Sequence, residues 1–289
     1  QTPGWNASEN DFITFRDEIK KIFLAAKNNS TLNEAQTEDE FILPVMKALG
    51  WTSFLRQQTA NNKGREDVPD FLLFPSDEAK AKAMSEGKAD KRYLHGIAII
   101  EAKKWSRQLD RGETSDVFDP GTPSSQMLRY LSRVEVASDR KIKWGLLTNG
   151  QIWRLYWQDA RSRSEEFLQF DLLALSEVAG ITADIFASTA PSANVHLLRA
   201  FFLLFRRTAF LPQADDHEHR SFHAIALEEG KLWESQVSQD LGKRVFEEIF
   251  PKLTATIARN DKHAISPYSR EYLEDVHRST LILLYRLLF

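Results

Sequence analysis

Two short runs decide how this chain reads: Val68-Pro69-Asp70-Phe71-Leu72-Leu73-Phe74 and Gly96-Ile97-Ala98-Ile99-Ile100-Glu101-Ala102-Lys103. Each is an apolar stretch of strand length with its acidic residue at the edge rather than inside. Side chains two apart on a strand share a face, so Glu101 and Lys103 point the same way. Asp70, on the neighbouring strand, supplies a second carboxylate. Phosphodiester hydrolysis needs an activated water and positive charge against the phosphate. Mg2+ is hard and takes oxygen ligands, so two carboxylates beside an ammonium suit that chemistry.

Outward from these runs the pattern is that of a layered fold. Phe12, Phe15, Ile19, Ile22 and Phe23 are spaced as one helix face. Thr37 with Glu40 reads as a capping box opening a helix through Phe41, Val45, Met46 and Leu49, in which Pro44 predicts a kink or an early stop. Trp51 to Thr59 reads as a strand, 61–64 as a turn, and Glu66 and Asp67 as turn residues. Residues 75–92 form a charged excursion between strands, and Arg107 to Gly121 a polar loop. Ser124 or Ser125 caps a helix through Met127, Leu128, Leu131 and Val134. Strands follow at 144–148, 152–157 and 166–170, the first two joined at Asn149-Gly150, a strong hairpin signal. This predicts an α/β domain with a mixed central sheet flanked by helices. From about residue 180 the spacing becomes helical throughout, so an all-helical domain is expected over 181–289 after a first domain over 1–180.

Composition narrows the class. The chain has 289 residues, 42% hydrophobic and 27% charged, which is globular rather than disordered. The absence of cysteine excludes disulfides, thiol nucleophiles and Cys-type zinc sites. No window of about 18 uncharged apolar residues is present, so a cytoplasmic chain without a membrane partner is expected. Net charge is -3, yet residues 127–163 hold eight Arg or Lys against three acids, a local +5 suited to phosphate backbones. His217, His219 and His223 lack the companions of a metal set and read as loop residues. The chain opens on Gln1 and closes on an apolar helical stretch, Leu281 to Phe289, which reads as a fragment of a longer protein.

The order Val68-Pro69-Asp70, then Ile100-Glu101-Ala102-Lys103, resembles the PD-(D/E)xK nuclease signature, with Glu101 at its variable acidic position. Gln126-Met127-Leu128-Arg129-Tyr130 resembles the QxxxY motif of RecB-like nucleases and of type I restriction motor subunits. Leu147-Thr148-Asn149-Gly150, with Trp153 and Tyr156, is similar to the strand pair that follows in type I and type IIG restriction enzymes. Glu229-Gly230-Lys231-Leu232-Trp233-Glu234 and the stretch 272–289 resemble the helical connector of type IIG proteins.

The resemblance implies a restriction-endonuclease-like fold and a site-specific deoxyribonuclease of type II, IIG-like, acting on duplex DNA with Mg2+ or Mn2+. Asp70 and Glu101 would be metal ligands, and Lys103 would activate or orient the attacking water. Glu40 would be an extra acid near the metal. Gln126 and Tyr130 would brace the site or touch a backbone phosphate. It further implies a bacterial or archaeal restriction–modification or phage-defence enzyme. Its adenine methyltransferase, with S-adenosylmethionine, and its target-recognition domain would lie in cis beyond Phe289, and two copies would meet on DNA. Two other readings stand beside this one: a catalytically silent DNA-binding or scaffolding module, and a repair-type nuclease.

Overall fold

A computed structural model describes residues 9–25, 32–56, 68–105, 107–111, 121–178, 193–262 and 267–288. The chain enters through α1 (Glu9–Ala25), whose Phe12, Phe15, Ile19 and Phe23 recur at helical spacing and are buried. The next helix has three parts: α2 (Glu34–Thr37), a π-helical turn (Glu38–Ile42) and α3 (Leu43–Ala48). Its N-cap is Asn33 rather than Thr37. Asn33 Oδ1 accepts the Gln36 N–H at 2.9 Å, and Gln36 Oε1 accepts the Asn33 N–H at 3.1 Å. That pair completes a capping box one turn before the expected one, leaving Thr37 buried inside the helix. Pro44 does not stop it, since the helix runs on to Ala48. Proline has no N–H to offer the ladder, and the π turn before it, where the Leu43 N–H reaches Glu38 O, gives the ring room.

Six strands form one mixed sheet in sequential order: β1 (Phe54–Arg56), β2 (Phe71–Leu73), β3 (Ala98–Ala102), β4 (Trp144–Thr148), β5 (Ile152–Trp157) and β6 (Phe167–Asp171). All neighbours pair antiparallel except β3 and β4. Between β2 and β3 lie α4 (Asp77–Ser85), capped by Ser76, and a 3-10 turn (Ala89–His95). The parallel pair is bridged by α5 (Pro123–Ala137), the crossover that parallel strands require. Every residue of β2 and β3 is buried. Strands covered on both faces have no polar side to show, which is why they read as unbroken apolar runs.

The sheet alternates between two cores. Phe71, Leu73, Ala98 and Ile100 pack with α1 and α3, while Leu72, Ile99 and Leu147 pack with α4 and α5. This is the expected α/β architecture. The first expected strand is shorter than its sequence span. Trp51 leaves the sheet, buries its ring and donates Nε1–H to Phe205 O at 2.9 Å. The rest of that span from residue 57, the turn at 61–64, Glu66 and Asp67 lie outside the described residues.

The β4–β5 hairpin forms one residue out of the expected frame. Thr148 opposes Trp153, which makes Gly150 and Gln151 the central pair, with Gly150 at φ +86°. Asn149 stands before the turn, its Oδ1 accepting the N–H groups of Gln151 and Ile152 at 3.1 and 2.7 Å.

The chain divides later than its change of composition implies. After β6 come α6 (Leu172–Val178) and α7 (Ala193–Phe205). In α7, Phe201 and Phe202 contact Phe15, and Phe201 and Phe205 both meet Trp153 and Phe170. The segment beyond residue 180 therefore completes the core on the sheet. Two compact units, Gln1–His223 and Ala224–Phe289, replace the expected 1–180 and 181–289. The described residues of the second unit are helical, from α8 (Phe222–Lys243) through a π turn (Arg244–Ile249) to α9 (Phe250–Asn260) and α10 (Arg270–Leu288). Among the described residues no helix is long and apolar enough to cross a membrane.

Candidate active site

The antiparallel register pairs Phe71 with Ile100, and carried one residue further it sets Asp70 against Glu101. Residues directly opposite on such a pair have Cβ atoms about 5 Å apart, and like charges there repel. Asp70 Oδ2 is held by the Ala102 N–H at 2.7 Å. Glu101 is 1% exposed. Its Oε1 accepts Lys103 Nζ at 2.5 Å, and its Oε2 is buried with no hydrogen-bond partner. Burial, then the Asp70 charge, raises the Glu101 carboxyl to about 8 despite Lys103. Asp70 is raised as well, chiefly by burial. For Lys103, burial works against the charged form but is outweighed by Glu101 and Asp70, so its ammonium is held more firmly than usual. The arrangement has too little positive charge for its carboxylates.

A third carboxylate comes from the helix that opens on Asn33. Glu38 is half-buried, and burial followed by the Asp70 charge raises it to about 7. Arg56, at the end of β1, offsets this with a 3.0 Å contact to Glu38 Oε2 and also reaches Asp39 at 2.7 Å. Glu34 acts on both Glu38 and Lys103. Glu40, the extra acid that the resemblance implies, is exposed. The readable signal for Glu38 was its i,i+4 relation to Glu34, which places both on one helix face.

Gln126 and Tyr130 lie on α5, and Gln126 Nε2 donates to Tyr130 Oη at 2.6 Å. Along β3, Ala98, Ile100 and Ala102 face the α1 layer, whereas Ile99 faces α5. By that alternation Glu101 shares a sheet face with the Gln126–Tyr130 pair.

The chain leaving β3 is stapled at nearly every second residue. Lys103 N–H donates to Thr148 O at 2.8 Å, and Trp105 N–H to Thr37 Oγ1 at 3.0 Å. Asn149 Nδ2 holds Arg107 O at 2.9 Å, and Ser124 Oγ holds Leu109 O at 2.8 Å. Asp110 receives two 2.6 Å bonds from the guanidinium of Arg154, which also donates to Gln169 and Ser124. Gly150 matters to this packing. A Cβ there would lie 3.0 Å from Thr37 Cγ2 and 3.1 Å from the Trp105 ring, at a φ that L side chains rarely adopt.

The basic stretch 127–163 is less available than its sum suggests. Arg154 is buried in the network just described. Lys143 bridges Asp159 at 2.7 Å and Glu135 at 3.4 Å, and Arg140 also reaches Glu135. His217 and His219 are exposed or nearly so. His223 instead stacks its ring with centroids 4.4 Å from both Trp144 and Phe210, its Nε2 at 2.7 Å from Leu204 O, and burial lowers its pKa to about 4.

Among the described residues no set of three His, Cys, Asp or Glu side chains forms a ready metal cage. The Asp70–Glu101 pair nonetheless fits a hard cation. It offers opposed oxygen donors, and burial raises both of its carboxyls. Family models, curated proteins and solved structures were all compared with the chain, and none matches.

Proposed function

We propose that the first unit is a divalent-metal-dependent nuclease of the PD-(D/E)xK kind, with a restriction-endonuclease-like fold, hydrolysing phosphodiester bonds of duplex DNA. The observation that carries this reading is the buried Glu101 carboxyl set against that of Asp70, with Lys103 Nζ on its Oε1. Two buried carboxyls that share one ammonium are a costly arrangement, which a bound divalent ion would relieve.

Asp70 and Glu101 would hold Mg2+ or Mn2+, with Glu38 as an outer acid. The bound ion would supply Lewis-acid charge for the phosphate and lower the pKa of a water. The Ala102 N–H fixes the orientation of Asp70. Lys103, firmly protonated, sets its ammonium toward a phosphate oxygen or an attacking water and keeps the Glu101 carboxylate turned inward. Gln126 and Tyr130 brace the neighbouring helix face. The parent enzyme would be of the restriction–modification or phage-defence type, with methylation, S-adenosylmethionine binding and target recognition carried in cis outside residues 1–289. Double-strand cutting would bring two copies together on DNA.

The test is cleavage of plasmid DNA in Mg2+ and in Mn2+. Asp70→Ala, Glu101→Ala and Lys103→Ala should each abolish it with circular dichroism unchanged. Cleavage that survives these substitutions would overturn the assignment.

A further inference from the structure

On the segment that leaves β3 lies a cleft of about 580 Å3, lined by Trp105, Arg107, Asp110, Arg111, Arg154 and Gln169 among others. Its volume falls within the range of about 300–1,000 Å3 common to small-ligand sites. Trp105 is two residues from Lys103, and its main chain is tied to Thr37, which adjoins Glu38. The cleft is thus built on the chain that runs on directly from the strand carrying Glu101.

The charges in this cleft are unevenly committed. Asp110 is neutralised by the two bonds from Arg154, which belongs to the floor of the same cleft. The guanidinia of Arg107 and Arg111 have no hydrogen-bond or ion-pair partner among the described residues. The main chain carrying them is nevertheless held firmly, by Asn149 at Arg107 O and by Ser124 at Leu109 O. Two guanidinia without a partner among the described residues, on a stapled segment, are placed for a multidentate oxyanion rather than for each other.

We propose that this cleft binds the sugar–phosphate backbone of the nucleic-acid strand that runs past Asp70 and Glu101, with phosphates on Arg107 and Arg111. This rests on the nuclease reading for the identity of the strand and extends it to a second phosphate subsite. Four residues separate Lys103 from Arg107, a span of at most about 14 Å. Single strands rise about 3.4 Å per nucleotide, so the subsite lies a few nucleotides from the cutting position. Phosphate contacts of this kind set register and contribute affinity without reading sequence.

The experiment measures binding of a short DNA duplex to the whole chain in Ca2+, across a range of salt, for wild type, Arg107→Ala/Arg111→Ala and Lys88→Ala, an exposed position. The Asn149 staple uses the Arg107 main chain, so the double substitution spares it. The Arg pair should weaken binding about tenfold and flatten the log–log salt slope by roughly one to two, while Lys88→Ala changes neither. An unchanged affinity and slope in the Arg double variant would overturn the proposal. Inorganic phosphate binding that needs the Arg pair, with duplex binding that does not, would also overturn it, reassigning the cleft to a small anion. Separate Mn2+ titration and plasmid cleavage keep the two readings apart. Arg-dependent duplex binding in a chain that neither holds Mn2+ nor cuts would uphold the subsite and sink the nuclease.

Discussion

Asp70 Oδ2 accepts the Ala102 N–H at 2.7 Å, a side chain at the start of one strand bonded to the main chain at the end of its neighbour. That bond anchors Asp70 beside Glu101, whose carboxyl is raised to about 8 by burial and then by Asp70. A carboxyl raised above its unfolded value stabilises the fold fully below about pH 4.5, and loses that contribution as pH climbs through about 8. The difference in stability between wild type and Glu101→Gln should therefore shift against wild type across pH 5 to 8 without metal, by on the order of 1–3 kcal/mol. Urea denaturation at several pH values measures it. Mn2+ binding should release protons and tighten as pH rises over the same window, which calorimetry in buffers of different ionisation enthalpy reads directly. Glu101→Gln should remove that binding.

The helix acid beside the pair is Glu38, held between Asp70 and Arg56. Glu38→Gln should weaken Mn2+ affinity by about tenfold, the effect typical of an outer partner to a metal ligand. Glu40→Gln, at an exposed position, should leave it unchanged. Equal effects from both would remove Glu38 from the site.

Phe201, Phe202, Phe205 and Leu198 of α7 fill the core against α1 and the sheet. At about 1.5–3 kcal/mol each, their loss costs roughly 6–12 kcal/mol. That matches the whole stability of an ordinary domain, about 5–15 kcal/mol. A chain ending at residue 180 should thus lose near-ultraviolet circular dichroism and bind ANS, whereas one ending at 223 should unfold cooperatively.

Arg154 is buried and carries the bidentate contact to Asp110. Arg154→Met should destabilise by about 3 kcal/mol, because Asp110, Gln169 and Ser124 lose their donor together. Asp110→Asn should cost about as much, since it leaves the buried Arg154 guanidinium without its counter-charge. Faster amide exchange at 107–111 in the Met variant would show the staple released.

The sheet and its two carboxylates were legible because they rest on short-range patterns. An apolar run bounded by an acid is a strand end wherever it folds, and two-residue alternation places Glu101 and Lys103 together. The hairpin at Asn149-Gly150 was legible for the same reason, but its frame was not. A turn's frame follows the pairing of its strands, and Asn149 was drawn to hold Arg107.

Other features were decided at a distance. Two capping boxes are available within residues 33–40, and both Thr37 and Asn33 satisfy the local rule. Burial of Thr37 beside Trp105 goes with the cap at Asn33, and Glu38 on the turn that follows feels the Asp70 charge. The basic stretch 127–163 was discharged by partners remote in sequence, Asp110 for Arg154 and Asp159 for Lys143.

Residue order was enough to place the strands, most of the helices and the acid pair of Asp70 and Glu101, since hydrophobic period and residue type are local properties. The boundary at His223, the nearness of Glu38 to Asp70 and the lack of partners for Arg107 and Arg111 among the described residues came from the folded arrangement. Each of those depends on what lies opposite a side chain after the chain has closed on itself.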